Sequence, residues 1–124
     1  MHRLSGLCAL LFLLIAMTDE SNAQNPAPPV PPEWQTHAER TDYRESPRYE
    51  ETLAYCRKLA AAAPAQIRLT DFGRSGEGRA LPLVIAASGG TFTPEASRRA
   101  GKVVVFVQAN IHAGETDGKD AGLA

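Results

Sequence analysis

The sequence predicts an α/β fold, a mixed central β-sheet flanked by helices, of which this chain carries an incomplete part. Three patterns point there: an apolar face at helical period before residue 64, two strand-like segments joined by a glycine-rich turn, and an unbroken apolar run at 103–107. The composition agrees, since 124 residues with 44% hydrophobic, 22% charged, 10 Gly and 9 Pro fall in the range of one soluble globular unit and exclude collagen and coiled coil. The 2 Cys exclude a disulfide-rich mini-protein. The net charge is −1 and the basic residues are scattered, so no nucleic-acid partner is expected.

Residues 1–23 read as a secretory signal peptide. Arg3 gives a basic start, Leu4 to Met17 is apolar, and small residues at Ser21 and Ala23 set cleavage after Ala23. An apolar run of about 14 residues is short of the roughly 20 that span a bilayer, so no stable membrane span is expected after cleavage. The expected location is secreted or periplasmic. Cleavage removes Cys8 and leaves Cys56 without a partner in the chain. Cys56 then reads as a small buried apolar residue, a half-bridge to a distant cysteine or a reactive nucleophile; the first is adopted.

Residues 24–45 form a Pro-rich spacer and lead-in. Within Gln24 to Glu33, Pro26, Pro28, Pro29, Pro31 and Pro32 favour polyproline II and forbid a helix or central strand. A ligand for a proline-binding module is the rejected alternative, because such modules are mostly intracellular.

The folded part, 46–124, opens on a helix with Ser46 as N-cap and Pro47 at the first helical position. Tyr49, Leu53, Cys56, Ala60 and Ala63 recur at helical spacing and form its core face, and Pro64 ends it. Ile67, Leu69 and Asp71 alternate with polar neighbours as in a half-covered strand. Gly73 to Gly78 turns the chain into a second strand, Leu81 to Ala87, whose Pro82 assigns it to a sheet edge or starts it later. The glycine-rich turn lacks the Lys-Ser/Thr ending of a phosphate loop, so nucleotide binding is set aside. The run at 103–107 lacks alternation and predicts a strand buried on both faces.

Immediately after that run comes His112-Ala113-Gly114-Glu115. A catalytic zinc takes three protein ligands, usually imidazole and carboxylate, and leaves a fourth position open. His112 and Glu115, three apart in a turn softened by Ala113 and Gly114, supply two of them. A bare H-x-x-E is weak on its own, and the competing reading makes His112 a surface loop residue and Glu115 part of a helix start. Asp117 and Asp120 are weighed as base or third ligand, but acidic residues after Thr116 better complement a helix N-terminus. Lys119 reads as surface, and Glu77 as a turn residue with backbone or arginine contacts.

The segments Phe72-Gly73-Arg74-Ser75-Gly76-Glu77-Gly78-Arg79 and Val105-Phe106-Val107-Gln108-Ala109-Asn110-Ile111-His112-Ala113-Gly114-Glu115 resemble the N-terminal part of zinc carboxypeptidases of the carboxypeptidase A type. The resemblance implies a mixed-sheet α/β catalytic domain, truncated here, with Zn²⁺ whose first two ligands fall on His112 and Glu115. It implies a third ligand and a general base beyond residue 124, and a peptide or protein as substrate. Gly114 stands where many members carry an arginine that touches substrate. The expected function is therefore that of an exported metallopeptidase, a carboxypeptidase, present as a fragment inactive alone. A zinc-dependent N-acyl amino acid deacylase and a non-catalytic metal-binding or interaction fragment are the alternatives.

Overall fold

The computed structural model describes residues 28–124. The expected signal peptide, with Cys8, and the first prolines of the spacer lie outside the described residues. Pro31–Ala124 is one unit by its internal contacts.

After Pro31 the chain makes a 3₁₀ turn, Pro32–Trp34, and a one-turn helix α1, His37–Arg40. So short a helix needs its ends satisfied, and the Thr36 hydroxyl accepts the Glu39 N–H at 3.2 Å while the Glu39 carboxylate accepts the Thr36 N–H at 2.6 Å. The lead-in seats on the next helix, α2, Tyr49–Ala62. The Tyr55 hydroxyl donates to the Trp34 carbonyl at 2.6 Å. The Lys58 ammonium reaches the Glu33 carbonyl and lies 4.5 Å from the centre of the Trp34 ring.

Helix α2 starts later than the Ser46 cap predicts, with Arg48 as its N-cap. The Glu51 carboxylate accepts the Arg48 N–H at 2.9 Å and so covers one open donor of the first turn, whereas the Ser46 hydroxyl is taken by the Lys119 ammonium at 3.0 Å. The predicted apolar face is observed: Cys56 is buried, and Tyr49, Leu53, Ala60 and Ala63 are half-buried. Thr52 joins Cys56 in the buried row.

That face packs on strand β1, Ile67–Arg74, which pairs antiparallel with β2, Ala80–Ala86. Ile67 stands opposite Ala86 and Leu69 opposite Val84. Pro82 is opposite Asp71, where the register shifts before Arg74, an irregularity suited to a residue without an N–H. The turn closes through Ser75 N–H to the Arg79 carbonyl at 2.8 Å, with Gly78 at φ +78, a left-handed conformation that favours glycine. Glu77 pairs with Arg79 at 3.2 Å, and the Tyr49 hydroxyl donates to the Ala80 carbonyl at 2.9 Å, fastening the hairpin to α2.

Beyond β2 lies α3, Pro94–Arg99, whose N-cap Thr93 accepts the Ala96 N–H at 3.2 Å. It stops at Gly101, φ +64, with Gly101 N–H to the Arg98 carbonyl at 3.1 Å and Lys102 N–H to the Ser97 carbonyl at 2.9 Å. This is the paired bond pattern of a Schellman ending.

The strand expected at 103–107 does not form among the described residues. Val103, Val104, Val105, Phe106 and Val107 are between 70% and 89% exposed and pair with neither β1 nor β2. Apolar patterning encodes a preference for cover, but it does not supply the second layer, and the described sheet has two strands only. The class is α/β, helices with a short sheet, and incomplete. Among the described residues the buried apolar side chains are Ala38 and Cys56.

Candidate metal centre

The loop between the 103–107 run and helix α4, Asp117–Leu123, carries both predicted site residues. Asn110 has φ +59, and its side-chain amide donates to the His112 carbonyl at 3.2 Å. Asparagine tolerates that left-handed conformation better than most residues because its amide bonds locally. The same His112 carbonyl accepts the Glu115 N–H at 3.0 Å, closing a turn over Ala113 and Gly114. Closure brings the side chains together: His112 Nδ1 lies 2.7 Å from Glu115 Oε1, and His112 N–H points to Glu115 Oε2 at 3.4 Å. The two side chains are 78% and 59% exposed, so the pair contributes little to stability.

The other end of the loop is held by close approach. A Cβ built at Gly118 would lie 3.3 Å from the Ala109 Cβ, so glycine lets the first turn of α4 press against residue 109. Asp117 and Asp120 sit in that first turn, as a helix start predicts. Lys119 departs from its surface reading: its side chain is 17% exposed and paired with Asp120, itself 13% exposed, and with Ser46. Two partners offset the cost of withdrawing an ammonium from water.

Imidazole nitrogen with carboxylate oxygen is a donor set that suits zinc. Two ligand atoms on a tetrahedral zinc sit roughly 3.4 Å apart for bonds of about 2.1 Å, so the 2.7 Å pair would have to open by about 0.7 Å, and both side chains are exposed enough to do so. The pair fits two of three ligand positions. Among the described residues no group of three or more His, Cys, Asp or Glu is placed to hold a metal ion.

A cleft of about 330 Å³ lies elsewhere, lined by Thr36, His37, Arg40, Tyr55, Lys58 and Asp120 among others, and neither His112 nor Glu115 reaches it. Burial pushes the Cys56 thiol above its usual range, which makes it a poor nucleophile and supports the inert reading. Burial, reinforced by the Glu39 charge, raises the Tyr55 phenol as well. Asn110 is a positioning residue that the H-x-x-E spacing does not single out; its place two residues before the histidine is the signal that carries it.

A family model described as zinc carboxypeptidase matches residues 52–124, which contain β1, β2 and the His112–Glu115 turn. The chain belongs to the zinc carboxypeptidase family, a family of zinc metallopeptidases and therefore hydrolases. No curated protein and no solved structure matches it. No described helix is long and apolar enough to cross a membrane.

Proposed function

We propose that this chain is the front part of an exported metallocarboxypeptidase that hydrolyses peptide bonds, with His112 and Glu115 as the first two protein ligands of its Zn²⁺. The observation that carries the reading is the closed 112–115 turn, which brings an imidazole nitrogen and a carboxylate oxygen to 2.7 Å on an exposed loop. His112 and Glu115 would hold the ion through an imidazole nitrogen and a carboxylate oxygen. Asn110 fixes the His112 carbonyl, and the Gly118 contact with Ala109 anchors the loop behind it. The Glu115 carboxylate would neutralise part of a bound ion's charge and leave the rest available toward a substrate. When bound, a zinc ion supplies Lewis acidity toward a peptide carbonyl and water. The third ligand and the general base come from outside residues 28–124, so the chain alone does not turn over peptides.

Calorimetric titration of the chain with Zn²⁺ tests this, and the expected result is weak binding that falls about tenfold or more in His112→Ala and Glu115→Gln. Affinity unchanged in both variants sinks the ligand assignment. Chelator-sensitive release of C-terminal residues by the chain alone sinks the claim that further residues are required.

A further inference from the structure

Lys119 takes no part in the metal chemistry described above, yet its ammonium is mostly withdrawn from solvent beside the Asp120 carboxylate. Apolar side chains of similar size hold such a position at least as well as an ion pair, so stability alone does not explain a charge there. The pair sits in the first turn of α4, whose N-cap Thr116 directly follows Glu115. The same ammonium donates to the Ser46 hydroxyl at 3.0 Å, in the segment between α1 and α2 and 73 positions earlier. A lysine has three donors on a flexible stem, which lets one group bridge both acceptors. Asp120 also lines the cleft shared with Thr36, His37 and Arg40 of the lead-in. Gly118, beside Lys119, presses on Ala109 and so closes the base of the loop that carries the 112–115 turn.

We infer that Lys119 is a positioning residue for the His112–Glu115 pair, mooring the base of that loop to the segment before α2 so that imidazole and carboxylate are oriented before a metal ion arrives. The inference rests on the reading of the pair as Zn²⁺ ligands. A donor pair on an unmoored loop has to be ordered at the moment of binding, and that entropy is subtracted from the affinity. The bonds made by Asn110, His112 and Glu115 shape the turn without placing it, because all of them lie within 110–115. Lys119 alone reaches outside: among the described residues its bond to Ser46 is the hydrogen bond that ties 103–124 to earlier elements, so no second tie masks its loss in this chain.

Zn²⁺ titration of the full chain tests this with Lys119→Met, Ser46→Ala, the double variant and Ser46→Thr. Each of the first two should bind about threefold more weakly, the effect of one modest hydrogen bond. The double variant should lose no more than Lys119→Met, since both changes remove the same bond, and Ser46→Thr, which keeps the hydroxyl, should match the wild type. The sign is diagnostic: a lysine acting only through its charge repels a cation, so Lys119→Met would then tighten binding. Hydrogen exchange without metal supplies an independent readout, in which the Glu115 amide should quicken about threefold in both single variants while the amides of β1 and β2 keep their rates. Tighter binding in Lys119→Met overturns the inference, as do unchanged affinity and Glu115 exchange in both single variants. Losses that add in the double variant overturn the route through Ser46, and quickened β1 and β2 amides reduce Lys119 to a structural role. Zinc binding indifferent to His112→Ala refutes the ligand assignment instead, and the Glu115 exchange then decides by itself whether Lys119 moors the turn.

Discussion

Cys56 and Tyr55 are neighbours on α2 whose titration is displaced in the same direction. Burial raises both, so each native group keeps its proton at a pH where the unfolded chain has begun to lose it. Between the unfolded and folded values the native state binds more protons, and linkage then makes stability fall as pH rises. The stability contributed by the protonated thiol is fully present below about pH 9 and is lost above it, and the phenol adds its share about one unit higher. Urea titrations followed by ellipticity should give midpoints level from pH 6 to 8 and declining from pH 9. Cys56→Ala should remove the earlier part of the decline, and a midpoint that rises with pH would contradict the assignment. Cys56 should also react slowly with thiol reagents until the helix opens.

Among the elements, the ending of α3 gives the sharpest local test. Gly101 holds φ +64 with two bonds closing over it, and nothing lies within 4 Å of a Cβ placed there. The cost of Gly101→Ala is therefore conformational rather than steric, about 1 kcal/mol. Exchange protection of the Gly101 and Lys102 amides should fall roughly fivefold while that of the hairpin is unchanged. Unchanged protection would mean the Schellman bonds contribute nothing. Elements of this kind differ in how far the sequence announces them. The α2 face and the hairpin were legible because their periods, 3.6 and 2, survive wherever the partner layer comes from. The Ser46 cap was misread because Lys119, 73 residues away, competes for its hydroxyl, and no local pattern records such a competitor. The candidate site was legible as a pair, His112 and Glu115, and illegible as geometry, since Asn110 and Gly118 act through a left-handed turn and a close approach that spacing does not reveal.

At the scale of the whole molecule, the α2 face meets a two-stranded sheet, and only Ala38 and Cys56 are buried apolar residues among the described residues. A helix and a hairpin bury too little to offset the conformational entropy of ordering some hundred residues. The chain should therefore lose ellipticity over a broad temperature range and bind hydrophobic dyes before it melts, with near-UV dichroism weak from the start. A single sharp calorimetric transition would show a complete core and refute this. The sequence contains 1 Trp, and Trp34 sits in the seam where the lead-in rests on α2, its carbonyl held by Tyr55 and its ring under Lys58. Its emission is thus a single-seam optical reporter. A red shift marks release of the lead-in, and because the hairpin is spectrally silent at that wavelength, setting the emission against far-UV ellipticity gives the order in which the two parts come undone.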